Sequence, residues 1–305
     1  MKNEIIQLLK EEGNLSQKTI DEIRDTNIND FANLVKEIGK GETEHIKAGE
    51  ILKDLDTQYV GKNLYVYNEV TSTNTIARFL SENGVENGSV VISEKQSSAR
   101  GRSGKSWASP LGGIWLSIIL APDVDHSKLP LITLATGVAV ARTLEKIGVE
   151  NPEIKWPNDI IINDKKVCGI LTEAVTKSNA IENVIVGVGI DANLDMNQLP
   201  EELQDETTTI KIELGREENE NLLIKIFLEE FENINELFNH EEYEKILKEW
   251  RKRSYTIGKT VEVRKPFNKF YDAYVIGISK EGALVVEKND GSLEKVISGE
   301  CKIKD

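Results

Sequence analysis

The chain has few of the residues that mark several common protein classes. It holds only two cysteines, Cys168 and Cys301, which lie far apart and without the spacing of metal ligands. Free buried thiols of this kind fit a reducing compartment. No apolar run reaches transmembrane length, and the acidic, amphipathic N-terminus does not resemble a signal peptide. We therefore expect a cytoplasmic protein that has no membrane partner.

Basic residues are also outnumbered by acidic ones, 38 against 52. The formal net charge is −14, whereas a face that binds nucleic acid or an anionic membrane needs clustered Lys and Arg. Residues 1–48 have helical spacing and could begin a helix-turn-helix. However, neither a basic recognition helix nor an alternating hairpin follows. We predict a helical N-terminal extension over residues 1–48, at most an atypical or degenerate helix-turn-helix, and we do not expect DNA as a partner.

The rest of the chain shows two kinds of pattern. Hydrophobic residues make up 39% of the 305 residues, which is enough for a sizeable core. Over residues 49–253, apolar runs typical of strands are interspersed with amphipathic stretches typical of helices. Over residues 254–305, short strands follow one another, the last of them at 295–300. The sequence predicts an α+β domain, with a mixed β-sheet packed on helices, followed by a small β-barrel.

A long polar loop connects two predicted strands of the larger domain. Residues 96–113 contain two arginines, one lysine, four glycines, five serines and a tryptophan. Glycine lets the backbone approach a ligand closely, and arginine can grip an anion. The segment 99–106 fits a relaxed P-loop pattern, but Pro110 and the paired glycines after it would stop the helix that a P-loop requires. We therefore favour an anion-binding loop of another kind over a solvated surface loop.

Three further clusters interrupt the apolar pattern. The sequence Ser-Thr-Asn at 72–74 lies where a strand meets a helix, and it could cap that helix or hydrogen-bond a small polar ligand. In KWPND, at 155–159, Lys155 stands inside a strand, where an unpaired lysine is rarely buried. This favours a polar pocket over an exposed edge. In VIVGVGIDAN, at 184–193, the two glycines would let a flat ligand lie against the strand.

Four motifs thus stand in order along the chain: STN at 72, QSSARGRSGKSWASPLGG at 96, KWPND at 155 with KKVCGILTEA downstream, and GVGIDAN at 187. Together with the C-terminal strands they resemble the biotin protein ligase (biotin–acetyl-CoA-carboxylase ligase) family. The resemblance implies a catalytic fold like that of class II aminoacyl-tRNA synthetases, followed by an SH3-like domain. It also implies that ATP and biotin form biotinyl-5′-AMP, and that a lysine of a biotin carboxyl carrier protein then receives the biotin.

The resemblance further implies a role for each matching residue. The catalytic residues would be Lys155, Arg100 and Arg102, whose fixed cations offset the repulsion between the biotin carboxylate and the α-phosphate. The expected biotin-binding residues are Ser72, Thr73, Asn74, Gln96, Arg100, Gly101, Arg102, Lys155, Gly169 and Gly187. The expected ATP-binding residues are Arg102, Trp107, Asn158, Lys166 and Asp191. Mg²⁺ is expected with ATP, and Asp159 is the only ligand for it that we can suggest.

Three residues depart from the family pattern. Ala99 stands where the family often has glycine, and Lys105 stands where arginine is common, which keeps the charge but loses the planar fork. Asp191 stands where asparagine is usual, near the expected adenine site. Because a carboxylate cannot donate a hydrogen bond as an amide does, the nucleotide contact expected there is in question.

Two other functions stay open. A lipoate–protein ligase would share the fold and the two-step chemistry, but lipoate has no ureido group to match the STN cluster and Gln96. A non-enzymatic biotin-sensing regulator would bind DNA or a partner, and the intact Arg100, Arg102 and Lys155 argue against it. The expected protein partner is the carrier domain of a biotin-dependent carboxylase or decarboxylase, and exposed sheet edges would allow a homodimer.

Overall fold

The structure is a computed structural model, and it describes residues 28–178, 180–265, 269–297 and 299–304. The described residues form a seven-stranded sheet in the order β1-β2-β3-β7-β6-β5-β4. Its strands are β1 (Leu64–Val70), β2 (Val90–Gln96), β3 (Ile114–Leu120), β4 (Glu153–Lys155), β5 (Asp159–Ile162), β6 (Lys165–Lys177) and β7 (Ala180–Ile190). Strands β1 and β2 are parallel, and all other neighbours are antiparallel. This is the mixed sheet that the sequence predicts.

Helices cover both faces of this sheet. They are α1 (Ile28–Gly39), α2 (Ala48–Leu52), α3 (Thr73–Glu82), α4 (Leu129–Lys146), α5 (Glu201–Gln204), α6 (Ile210–Leu214), α7 (Glu220–Asn239) and α8 (Tyr243–Lys252). Apolar residues of α1 and α3 pack on one face, whereas those of α4, α7 and α8 pack on the other. None of the described helices combines the length and the apolar character needed to cross a membrane.

The N-terminal extension is described only in part, because residues 1–27 lie outside the described ranges. Helix α1 is amphipathic and places Phe31 and Val35 in the core beneath it. The ring of Phe31 meets that of Phe79 on α3 edge to face, with the centroids 5.4 Å apart. This part of the extension therefore packs on the seven-stranded sheet. The domain boundary at residue 48 and the helix-turn-helix interpretation stay predictions.

The face under α3 changes character along the strands. Because side chains alternate between faces, one row across β3, β7 and β6 presents Ile119, Ile185 and Glu173 on this face. The next row presents Ser117, Gly187 and Leu171, and the one after it presents Trp115, Gly189 and Gly169. Apolar residues thus give way to small and polar ones near the first turn of α3. The missing side-chain volume opens the sheet surface into a cavity.

The C-terminal residues form a five-stranded antiparallel sheet in the order β11-β10-β9-β8-β12. Its strands are β8 (Thr260–Lys265), β9 (Lys269–Ile278), β10 (Leu284–Lys288), β11 (Leu293–Val296) and β12 (Glu300–Ile303). The single last strand predicted at 295–300 is wrong, because β11 ends at Val296 and β12 begins at Glu300. Gly299 has a φ of 141°, a backbone conformation that glycine adopts readily, and it separates the two strands.

The two sheets are joined through the KWPND segment. Trp156 donates from its ring Nε1 to the carbonyl oxygen of Gly282 (3.1 Å), and its backbone N–H donates to Thr256 Oγ1 (2.9 Å). The ring of Trp156 is 3% exposed, so burial adds to these hydrogen bonds. As a result the C-terminal sheet is held beside the strand that carries Lys155.

Candidate active site

A cavity of about 1160 Å³ lies between the open face of the large sheet and the C-terminal sheet. Every residue of the sequence-based site prediction, including Asp159, lines this cavity. Residues of the C-terminal domain line it as well, among them Arg264, Cys301 and Lys302. The sequence reasoning missed these three because nothing in a strand pattern indicates which face of a second domain meets a site.

The long loop is folded back on itself beside the cavity. The backbone N–H of Gly101 donates to the carbonyl of Lys105 (2.7 Å), and that of Trp107 donates to the carbonyl of Ala99 (3.0 Å). No α-helix begins at Lys105, as the exclusion of a P-loop predicts. Arg102 donates to Asn158 Oδ1 and to the carbonyl oxygen of Gly299, both at 3.2 Å. The loop therefore touches both the KWPND segment and the C-terminal sheet.

Trp107 lies flat on the glycine-lined part of the sheet. A Cβ on Gly169 would lie 2.9 Å from its ring, and one on Gly189 would lie 2.6 Å from Nε1. The sequence predicts that the two glycines of β7 leave room for a flat ligand, but the indole of the loop covers one of them, Gly189. The ring meets Trp115 edge to face, and Lys166 Nζ lies 4.8 Å from its centroid. Its buried Nε1 has no hydrogen-bond partner among the described residues.

Asn74 is held from two sides on the floor of the cavity. Its Nδ2 donates to Glu173 Oε2 at 2.7 Å and to the carbonyl oxygen of Leu171 at 3.4 Å. Arg78 Nη2 lies 3.4 Å from the other oxygen of Glu173. A Cβ on Gly187 would stand 2.2 Å from Asn74 Oδ1, so only glycine at 187 leaves room for this amide. The sequence reasoning did not select Glu173, although a glutamate inside a strand is an available signal.

Hydrogen bonds connect Asn74 to the rest of the polar cluster. The buried Ser117 Oγ lies 2.6 Å from Asn74 Oδ1 and 2.7 Å from Thr73 Oγ1. Gln96 Oε1 accepts from the backbone N–H of Thr73 at 2.8 Å. Ser72 is the N-cap residue of α3, but its side chain makes no capping hydrogen bond. The STN residues therefore lie in a site rather than serving mainly as a helix cap.

Cations line the part of the cavity beside β4, the start of β6 and the long loop, which we call its cationic end. Among the residues that the structure describes, neither the half-buried Lys155 nor the exposed Arg100 has an acidic partner within ion-pair distance. Lys166 Nζ lies 2.7 Å from Asp159 Oδ1 at an angle unsuited to a hydrogen bond, so the contact is an ion pair. No group of three acidic, histidine or cysteine side chains that could hold a metal occurs in the described part of the chain.

Asp191 lies at the end of β7 and is 3% exposed. Burial raises the pKa of its carboxyl well above the usual range, and nearby Lys166 opposes this only in part. The neutral acid form that burial favours has an O–H donor. In that neutral form, an acid at this position could donate a hydrogen bond as an asparagine would; the nucleotide contact itself stays a prediction.

The two cysteines are free and buried, as predicted. Burial raises the pKa of the Cys301 thiol to about 11, although Arg102 and Lys155 act in the opposite direction. Burial also raises the pKa of Cys168. Because the thiolate is the nucleophilic form, neither side chain is poised to react with a ligand in the cavity.

The sequence is similar to known protein families and proteins. A model of the biotin/lipoate A/B protein ligase family matches residues 66–191, and one of the biotin protein ligase C-terminal domain matches residues 256–303. The bifunctional ligase/repressor BirA of Bacillus subtilis is 33% identical over 271 residues, which cover 88% of this chain and 81% of that protein. The biotin–[acetyl-CoA-carboxylase] ligase of Mycobacterium tuberculosis is 31% identical over 218 residues, which cover 69% of this chain and 76% of that protein.

The structure is also similar to solved structures of biotin protein ligases. The biotin protein ligase of Aquifex aeolicus in complex with biotin and ATP matches with a TM-score of 0.70 at 27% sequence identity. The match covers 80% of this chain and 99% of that chain. The match therefore supports a fold shared by the two chains over most of their length.

Proposed function

The chain belongs to the biotin protein ligase family, and from this premise we propose that it joins biotin to ATP and passes the biotin to a carrier protein. The observation that carries the proposal is the cavity, where a hydrogen-bonded STN cluster lies against β6 and β7 and the cation Lys155 stands across the sheet on β4, with Arg100 on the loop that lines the same cavity. A ligand with a polar ring at one end and a carboxylate at the other fits this arrangement.

In the first step, a carboxylate oxygen of biotin attacks the α-phosphorus of ATP. A carbon–oxygen–phosphorus linkage forms, and the bond to pyrophosphate breaks with its electron pair leaving on pyrophosphate. Two anions approach each other in this step, so Lys155, Arg100 and Arg102 stabilise the developing charge. Arg102 is aimed by its hydrogen bonds to Asn158 and Gly299.

In the second step, an uncharged lysine amine of the carrier attacks the carbonyl carbon of the adenylate. The amide forms, AMP leaves, and the amine releases its proton. Until the carrier arrives, the anhydride must be kept from water. The loop at 97–113, which is pinned at Arg102 to the C-terminal sheet, is placed to provide that shield.

ATP would lie on the side of the cavity that contains Trp107, Asn158, Lys166 and Asp191. The unpaired indole Nε1 of Trp107 and the acid of Asp191 supply donors for the nucleotide. Mg²⁺ would enter with the ATP phosphates, since this ion usually keeps several waters and few protein carboxylates. Asp159 stays the one suggested protein ligand, and it would have to leave Lys166 to serve.

The remaining partners are also part of the proposal. We expect no binding to DNA because of the net charge of −14, although the similar Bacillus subtilis protein is named a ligase/repressor. A shift of operator DNA by the purified protein would contradict this. A homodimer through an outer strand of the large sheet is the expected oligomer, and sedimentation would measure it.

The carrier step has a direct test. The purified protein is incubated with ATP, biotin and a biotin carboxyl carrier domain, and the carrier is analysed by mass spectrometry. We expect one biotin on one lysine, and none on a carrier whose acceptor lysine is changed to arginine. A carrier that gains lipoate under the same conditions, and not biotin, would favour lipoate–protein ligase instead.

A further inference from the structure

Glu173 anchors the polar end of the cavity. It stands inside β6, a strand otherwise rich in apolar residues, and its side chain is 30% exposed. One carboxylate oxygen faces Arg78 of α3, and the other accepts from Asn74 Nδ2. An ionised carboxylate has acceptors only. The residue that meets it must therefore present a donor.

This contact settles which way the amide of Asn74 points. If the amide were turned over, its oxygen would lie 2.7 Å from a carboxylate oxygen, and a second carbonyl, that of Leu171, would also face it. In each of these two contacts, one hydrogen-bond acceptor would face another. Asn74 thus commits both Nδ2 protons to β6 and turns Oδ1 towards Ser117.

The direction of the next hydrogen bonds follows from counting protons. Ser117 has one hydroxyl proton, and at 2.6 Å from Asn74 Oδ1 it must donate there. Thr73 Oγ1 lies 2.7 Å from Ser117 Oγ, so Thr73 must supply the proton of that contact. Its other neighbour, Gln96 Oε1, is farther away at 3.2 Å. Thr73 Oγ1 and Gln96 Oε1 are therefore left with free lone pairs.

We propose that Glu173 is a positioning residue that sets the hydrogen-bond direction through Asn74, Ser117 and Thr73, so that this end of the cavity accepts protons from ligand N–H groups. The inference rests on the proposed function and deepens it. The cyclic urea of biotin offers two N–H donors to such acceptors, whereas the dithiolane ring of lipoate offers none. Arg78 keeps Glu173 in place through their ion pair.

Exchanging the carboxylate and the amide between Glu173 and Asn74 tests the proposed direction of the hydrogen bonds. Asn74→Asp places two carboxylates in contact and should weaken biotin binding about 100-fold or more. Glu173→Gln keeps an acceptor for Asn74 but loses its charge, and should weaken binding about 5-fold. In the double variant, the glutamine donates to the new aspartate, whose other lone pairs still face Ser117. Binding should return to within about 5-fold of the wild type.

The measurement is calorimetric titration with biotin, together with the KM for ATP. Desthiobiotin, which keeps the urea but lacks the thioether ring, should show the same losses, and the KM for ATP should not change. Glu182→Gln is the matched control, because Glu182 is also a strand carboxylate in an ion pair, with Lys177, away from the cavity. Glu173→Ala gives a second readout without any change at Asn74, and it should lose about 30-fold.

Two results would overturn the inference. One is a double variant that binds ATP normally but binds biotin no better than Asn74→Asp. The other is a Glu173→Ala protein that binds biotin like the wild type. Neither result touches the proposed function, which is tested on the wild-type protein: it fails if that protein does not bind biotin, or binds it without forming the adenylate or biotinylating the carrier.

Discussion

The two ends of the cavity are built in opposite ways. At the polar end, Asn74, Thr73, Ser117 and Gln96 are already hydrogen-bonded to one another and to Glu173. At the other end, Lys155 and Arg100 have no acidic partner among the described residues. One end is complete before a ligand arrives, whereas the other holds charge that only an anion can offset.

The difference corresponds to two tasks. Selecting a neutral ring requires acceptors at fixed positions, because a ligand that lacks the matching donors leaves buried groups unpaired. Joining a carboxylate to a phosphate brings two anions together. It therefore requires fixed cations whose interactions with the reacting groups are stronger in the transition state than in the bound substrates. We therefore expect changes at the polar end to act on biotin affinity, and changes at the cationic end to act on the rate.

The largest effect is expected from Lys155→Ala. This change should lower adenylate formation by several hundred-fold or more, on the scale of losing a preorganised contact to the transition state. Biotin-dependent pyrophosphate exchange measures it. Lys177→Ala, which removes a lysine that is 76% exposed on β6, is the control. Near-normal exchange by Lys155→Ala would remove this residue from the mechanism.

Two glycines of β7 distinguish the biotin side of the cavity from the side that we expect ATP to occupy. In Gly187→Ala the new methyl would displace Asn74, and the KM for biotin should rise roughly 10–100-fold. In Gly189→Ala the methyl would displace Trp107, so the KM for ATP should rise by a similar factor instead. Gly277→Ala adds a methyl to open space in β9 and should change neither. If both cavity variants raised the same KM, the separation of a biotin side from an ATP side would be wrong.

Arg102→Gly tests the closure of the loop. Loss of its hydrogen bonds to Asn158 and Gly299 should speed the escape of biotinyl-AMP roughly tenfold. Escaped adenylate would label lysines of bystander proteins, which a blot for biotin detects. Arg102→Lys keeps the charge without the planar fork and should leak less. A glycine variant that still labels only the carrier would contradict the shielding role.

The smallest effect is expected from Asp191→Asn. Burial raises the carboxyl pKa in the folded protein above its ordinary value of 3.8. Folding therefore becomes less favourable as pH rises from that value through the raised pKa. The amide escapes this penalty, so the variant should melt about 2–4 °C higher at pH 7.5, and the gain should shrink towards pH 4. The KM for ATP should change by less than about 3-fold, because both groups donate. A lower melting temperature at pH 7.5 would indicate a charged Asp191 paired with Lys166.

The sequence predicts the order of strands and helices well because its apolar patterns are local. The tight turn at Asn163 and Asp164, where both residues have positive φ, is such a case. Each residue of the predicted site lines one cavity because the motifs lie at strand ends and on the sheet face. The strand and turn predictions require no knowledge of distant contacts, whereas the site residues are predicted from the resemblance of the motifs to the ligase family.

Other features depend on contacts between distant parts of the chain. Asn74 and Glu173 are 99 residues apart, and the buried Ser117 gains its role only from their contact. Likewise, Trp107 covers Gly169 and Gly189 only because the loop folds over the sheet. Asp191 is buried for a similar reason, since distant segments of the chain pack around it. A serine and a glutamate inside apolar strands were the only local signs of this network.

The most direct test of this account is ATP–pyrophosphate exchange by the purified wild-type protein, with biotin and with lipoate measured side by side. We predict exchange that depends on biotin and is absent with lipoate, because the polar end accepts from a urea and has no matching partner in a dithiolane. Exchange with lipoate alone would keep the chemistry but contradict the assignment of that end. No exchange with either ligand, together with tight biotin binding, would contradict the ligase function and indicate a biotin sensor.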